Sequence, residues 1–77
     1  MNSQNKSRRF MLEHKRKYYG FTRPTMGKAV NLSPESIKSL EYGRMNPSAA
    51  TMLKICKVLE SEPEELFPDL VCPKRYF

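Results

Sequence analysis

Apolar residues recur along this chain at intervals of three and four, and strict alternation is rare, so the pattern predicts helices rather than strands. Leu12, Arg16 and Tyr19 fall on one face at i, i+4 and i+7, with Met11, Lys15 and Tyr18 on the adjacent face. This predicts a first helix over residues 7–19, stopped by Gly20, which tolerates the left-handed backbone. Thr22 reads as the N-cap of a second helix over 23–30, with Met26 and Val30 inward and Asn31 ending it. Pro24 is tolerated in the first turn, where its missing N–H would lack a partner anyway. Ser33-Pro34-Glu35 combines a hydroxyl cap, a first-turn proline and an acid at the positive end of the helix dipole. It opens a third helix over 34–42, with Ile37 and Leu40 inward and Gly43 after it. Asn46-Pro47-Ser48 opens a fourth over 48–59, whose Met52, Ile55, Cys56 and Leu59 repeat at helical spacing. A short fifth helix over 63–67 starts at Pro63, turns Leu66 and Phe67 inward and stops at Pro68. Residues 68–77 carry no periodic pattern and read as a tail, and residues 1–7 as a flexible basic arm.

Seventy-seven residues make one domain, which buries roughly 60% of the surface its unfolded chain exposes. A deep enclosed cofactor cavity is not expected at that size. The formal charge is +6, and its distribution is more informative than its size. Met1 to Arg23 carries seven Lys and Arg, plus His14, against the single acid Glu13. Residues 60–69 carry Glu60, Glu62, Glu64, Glu65 and Asp69 with no base. One end is built to approach a polyanion and the other to face away from it. Cys56 and Cys72 lack metal-ligand spacing, and Cys56 falls at a core position as inert packing. His14 has no Ser, Cys or Asp pattern beside it, and no phosphate loop appears, which argues against an enzyme. No apolar run can span a membrane, and no signal-peptide segment is evident, so a cytoplasmic location is expected. No cofactor and no metal are expected.

The second and third helices are joined by only two or three residues. Gly27 sits where two helices must approach closely, and Leu32 plugs the turn. This is helix-turn-helix spacing. The local sequence goes further. Gly20-Phe21-Thr22-Arg23, Met26-Gly27, Leu32-Ser33, Ile37, Leu40-Glu41-Tyr42-Gly43-Arg44 and Asn46-Pro47-Ser48 fall in order across four turns. Over about residues 8–67 the chain resembles the phage-repressor and Cro-type (XRE-like) helix-turn-helix family. The acid-x-Gly-basic-x-Asn-Pro-Ser stretch after the third helix is the most specific part of the likeness. Arg23 departs from the family's usual Gln, and Pro24 and Gly27 weaken the second helix locally. Gly27 costs about 1 kcal/mol of helix propensity relative to Ala, which implies very tight packing there or a soft fold.

The resemblance implies an all-α, compact five-helix bundle in which the third helix enters the major groove. Its base-facing positions would be Pro34, Glu35 and Ser39, with Ser36 near the groove wall. Glu35 can accept from the cytosine amino group, Ser39 is permissive, and Pro34 offers apolar contact. Pro34 and Glu35 equally suit a plain helix start. Arg23, Lys38, Arg44 and Asn46 are the expected phosphate contacts. Lys6, Arg8 and Arg9 read either as an extra backbone contact or as solvated charges. The family pairs an arginine of the first helix with the acid at the end of the third, which implies a structural ion pair between Arg16 and Glu41. Tyr19 is expected in the core, with Tyr18 at its rim.

These features point to a sequence-specific, repressor-like transcriptional regulator that binds double-stranded DNA as a homodimer, on half-sites about 34 Å apart. A phage or mobile-element repressor, a restriction controller and an antitoxin all fit. The alternative is a protein-interaction module on the same fold, since Glu35 repels phosphate. RNA is disfavoured because the A-form major groove excludes a helix. A membrane-surface role is disfavoured because the apolar residues of the first helix are needed for the core. The tail residues Val71, Tyr76 and Phe77 could extend a dimer surface or cap the core.

Overall fold

The computed structural model describes residues 8–71, so the expected arm over 1–7 and the tail residues Cys72, Tyr76 and Phe77 lie outside the described residues. Five helices follow in order: α1 (Phe10–Tyr18), α2 (Arg23–Val30), α3 (Pro34–Glu41), α4 (Ala49–Val58) and α5 (Pro63–Leu66). The all-α, five-helix expectation holds, and the boundaries differ mainly at α1, which starts three residues later than the spacing predicts.

The local chemistry explains the helix ends. Thr22 accepts from the Thr25 N–H while the Thr25 hydroxyl accepts from the Thr22 N–H, a reciprocal cap at the start of α2. Ser33 accepts from Ser36 N at 3.1 Å, and Ser48 from Thr51 N at 3.1 Å. Proline occupies the first turn of α2, α3 and α5, where the absent N–H costs nothing.

Leu12, Met26, Val30, Ile37, Leu40, Ile55, Cys56, Leu59, Leu66 and Phe67 form the core, with Phe21, Leu32, Met45, Met52 and Val58 packed around it. All five helices contribute, so α3 is held from behind by α2 and α1 while its outer face stays open. Tyr19 departs from expectation. It lies just past the end of α1 and is exposed rather than in the core. No helix of the described residues is long and apolar enough to cross a membrane.

Candidate nucleic-acid interface

The joint between α2 and α3 is Asn31-Leu32-Ser33. Asn31 takes the left-handed conformation at φ 65°, a conformation Asn adopts more readily than most residues, and this reverses the chain. Leu32 N–H donates to Gly27 O at 2.7 Å. A Cβ on Gly27 would lie 2.3 Å from Leu32 O. Gly27 is therefore required by the turn backbone, not by the side chains of α3. The sequence indicated close approach there, and the partner is the connection itself.

Along α3, Ile37, Leu40 and Glu41 are buried. Pro34 and Glu35 are exposed, and Ser36, Lys38 and Ser39 are half-buried. Of the expected base-facing positions, Pro34 and Glu35 are thus open to solvent and Ser36 and Ser39 only partly so. The Ser36 hydroxyl accepts from Ser33 Oγ at 3.0 Å, which ties it partly to the cap.

The far end of α3 is anchored by charge. Glu41 is 1% exposed and accepts from two arginines. Its Oε2 takes the Arg16 Nε–H, and its Oε1 takes Arg23 Nε at 3.1 Å and Nη2 at 3.0 Å. Arg16 also donates to Phe21 O at 2.9 Å. Burial alone would depress the Arg23 guanidinium; its hydrogen bonds to Glu41, with Glu13 and Tyr42 nearby, outweigh this and raise its pKa. Arg23, expected as a phosphate contact, therefore spends two of its N–H groups holding α3 to α2 and keeps its remaining donors on a side chain 28% exposed.

Arg9 has the largest role that the sequence reading missed. It is 2% exposed, and all five guanidinium N–H groups are used. Nε and Nη2 grip both oxygens of Asp69 at 3.0 and 2.8 Å. Nη1 donates to Leu40 O and Met45 O at 2.7 and 2.9 Å, and Nη2 to Asn46 Oδ1 at 2.8 Å. Its backbone N–H donates to Glu41 O at 2.8 Å. Arg9 thus reaches two carbonyls at the C-terminal end of α3, Glu41 O and Leu40 O, the latter also accepting from Gly43 N–H at 3.2 Å. Its guanidinium also stacks on Phe67, 5.2 Å from the ring centroid. A signal was present: Arg9, Leu12 and Arg16 lie at i, i+3 and i+7, so Arg9 extends the buried face of α1. Its main partners, 31 to 60 residues away, were not readable.

The expected phosphate contacts divide into two sets. Arg23, Lys38 and Arg44 converge on the Tyr42 ring. Asn46 stands apart, with its carbonyl oxygen committed to Arg9 and its amide N–H groups left to donate. Glu13 sits beside this basic surface, its carboxyl held below its ordinary pKa by hydrogen bonds from Arg8 and Lys17.

Comparison with known proteins gives a consistent picture. Residues 12–66 match a family model described as Helix-turn-helix. Among curated proteins, the chain is 39% identical over 49 residues to an uncharacterised HTH-type transcriptional regulator of Archaeoglobus fulgidus, covering 64% of this chain and 70% of that protein. No solved structure gives a significant match.

Proposed function

The chain belongs to the Cro/C1-type (XRE-like) helix-turn-helix family, and on that premise we propose that it is a transcriptional regulator that binds specific double-stranded DNA with α3 in the major groove. The observation that carries this reading is the two-sidedness of α3. Its inner face is fixed by Ile37, Leu40 and Glu41, and its outer face presents Pro34 and Glu35 exposed and Ser39 half-buried, with Lys38 and Arg44 beside them. A rigid helix with free polar groups is what reading base edges requires. Phosphate contacts by Arg23, Lys38, Arg44 and Asn46 supply position and most of the affinity. Repression follows from occupying an operator as a homodimer, because a single short helix buries too little to bind tightly alone. The protein acts by binding, in the compartment that holds the DNA.

Selection from a random-sequence duplex pool, with sizing of the complex, tests this. One enriched site is expected, often a palindrome. Recovery of no motif at low salt and high protein concentration defeats it.

A second reading draws on the exposed apolar side chains Phe10, Tyr18 and Leu53, at 64%, 72% and 64% exposure. They favour a protein partner in place of, or beside, DNA. Binding to DNA that falls steeply with salt argues for the first reading, and salt-insensitive binding to protein alone argues for the second.

A further inference from the structure

Tyr42 caps the C-terminal end of α3 and is half-buried. Four cations surround its ring. The guanidinium carbon of Arg8 lies 4.2 Å from the centroid, that of Arg44 5.2 Å and that of Arg23 5.8 Å, and Lys38 Nζ lies 5.9 Å away. They come from four parts of the chain: the segment before α1, the start of α2, the middle of α3 and the loop after it. Such crowding of like charge needs compensation. Carboxylates supply only part of it. Glu13 is shared by Arg8 at 3.0 Å, Lys17 at 3.2 Å and Arg23 at 4.0 Å. Glu41 is shared by Arg16 and Arg23. Among the described residues no carboxylate lies within 4.0 Å of Lys38 or Arg44.

Arg8 depends most on the ring. Its Nε is buried without a hydrogen-bond acceptor, so among the described residues its guanidinium is held by Glu13 through Nη2 and by the Tyr42 and Phe10 rings. The electron-rich face of an aromatic ring attracts cations and tolerates several without fixing their hydrogen bonds. Lys38 and Arg44 make no side-chain hydrogen bond among the described residues, so their N–H groups stay free for another acceptor. The patch therefore holds more positive charge than the molecule itself neutralises, gathered around one side chain.

We propose that Tyr42 is a positioning residue that gathers Arg8, Lys38 and Arg44, alongside the Glu41-anchored Arg23, into one patch that binds the DNA phosphate backbone next to α3. This rests on the reading of DNA binding given above and adds two residues to it, Tyr42 and Arg8. The ring, not the hydroxyl, does the gathering.

The test is duplex binding measured across a salt series, using a random-sequence 30-base-pair duplex as probe and the full chain in native, Tyr42→Phe, Tyr42→Leu, Arg8→Gln and Tyr42→Leu/Arg8→Gln forms. Thermal melts accompany each variant. Tyr42→Phe keeps the ring and is expected to match the native affinity within about twofold, with an unchanged salt slope. Tyr42→Leu is expected to lose roughly tenfold in affinity and to flatten the slope by about two units, as two or more cations cease to be held toward phosphate. Arg8→Gln is expected to weaken binding in the native background and to have almost no effect once the ring is gone. That non-additivity is a readout that loss of stability alone does not produce, and it remains available if Tyr42→Leu is partly destabilised. An unchanged slope in Tyr42→Leu, or additive effects of the two changes, overturns the proposal while leaving DNA binding intact. A loss in Tyr42→Phe equal to that in Tyr42→Leu overturns it in favour of a direct hydroxyl contact. Failure of the native chain to bind any duplex overturns both this proposal and the reading on which it rests.

Discussion

Glu41 shows how much of the recognition geometry depends on one carboxylate. It is buried, and both its oxygens are occupied by guanidinium groups from α1 and α2. Glu41→Gln keeps the shape but removes the charge and leaves Arg16, itself 6% exposed, without its carboxylate partner. Breaking a buried pair from one side costs about 3–5 kcal/mol, because the remaining charge stays desolvated. Urea melts of Glu41→Gln are expected to show a loss of that size, and Arg16→Met combined with Glu41→Met less than the sum of the two single changes. Additive losses would show that the groups act independently. At the positions proposed to face the groove, the expected effects lie in specificity. Ser39→Ala should relax preference at one base pair and leave binding to random duplex nearly unchanged. Glu35→Ala should strengthen random-duplex binding by removing a repulsive charge, and a weakening would show that Glu35 accepts a hydrogen bond that matters for affinity. The Arg16–Glu41 pair was implied by the family resemblance, which sets an arginine of the first helix against the acid that ends the third. Arg9 was not, because nothing in its neighbourhood names Asp69 as a partner 60 residues on. An arginine next to a basic arm reads as more arm until the chain closes around it.

At the level of elements, most of the architecture was legible, because helix starts and stops depend on local chemistry. The hydroxyl caps at Thr22, Ser33 and Ser48, the first-turn prolines and the left-handed Asn31 act within a few residues of themselves. The start of α1 was read too early because its first turn has no capping side chain; Arg9 stands at that place and spends its side chain elsewhere. Gly27 lies between these cases. Its low helix propensity was visible, but its reason is a carbonyl oxygen in the following turn. Gly27→Ala sets two effects against each other. Alanine gains about 1 kcal/mol of helix propensity. Its methyl would meet Leu32 O at 2.3 Å, and that atom belongs to backbone already bonded to its surroundings, so the turn must shift. Overpacking of this kind costs typically 1–3 kcal/mol. The clash should win, with a net loss of about 1 kcal/mol or more in thermal unfolding and a reorientation of α3 that weakens site-specific binding more than random-duplex binding. A stabilised Gly27→Ala protein would show that the turn yields freely and that the α2–α3 joint is not the rigid hook that groove reading needs.

For the whole molecule, the decisive contact joins the two ends of the described chain. Arg9 precedes α1 and Asp69 follows α5, and their bidentate pair lies against the end of α3. The chain is thereby closed against the end of α3, and Asp69, past Phe67, packs with the domain. From the acid-rich stretch, Asp69 thus joins Arg9, while Lys15 pairs with Glu65 at 3.6 Å at the seam between basic and acidic halves. This closure makes stability depend on pH in a defined direction. Hydrogen bonds from Arg9 hold the Asp69 carboxyl below its ordinary pKa, against the opposing effect of burial. Those from Arg8 and Lys17 do the same for Glu13. A carboxyl whose pKa is lower folded than unfolded binds its proton less tightly in the folded state, so its contribution is complete at neutral pH. That contribution declines once the pH falls to about 4, where the unfolded chain takes up protons, and is gone below the folded-state pKa. Both groups act in the same direction, and the decline should appear as a falling urea midpoint between about pH 5 and pH 3. Asp69→Asn keeps the shape of the side chain and cannot titrate. It should lower the midpoint at pH 7, where the ion pair is lost, and narrow the gap to the native protein as the pH drops, since the native protein then loses the same interaction. The remaining decline in that variant belongs to Glu13. A gap that stays constant from pH 7 to pH 3 would show that the Arg9–Asp69 closure contributes through packing and neutral hydrogen bonds, and not through charge.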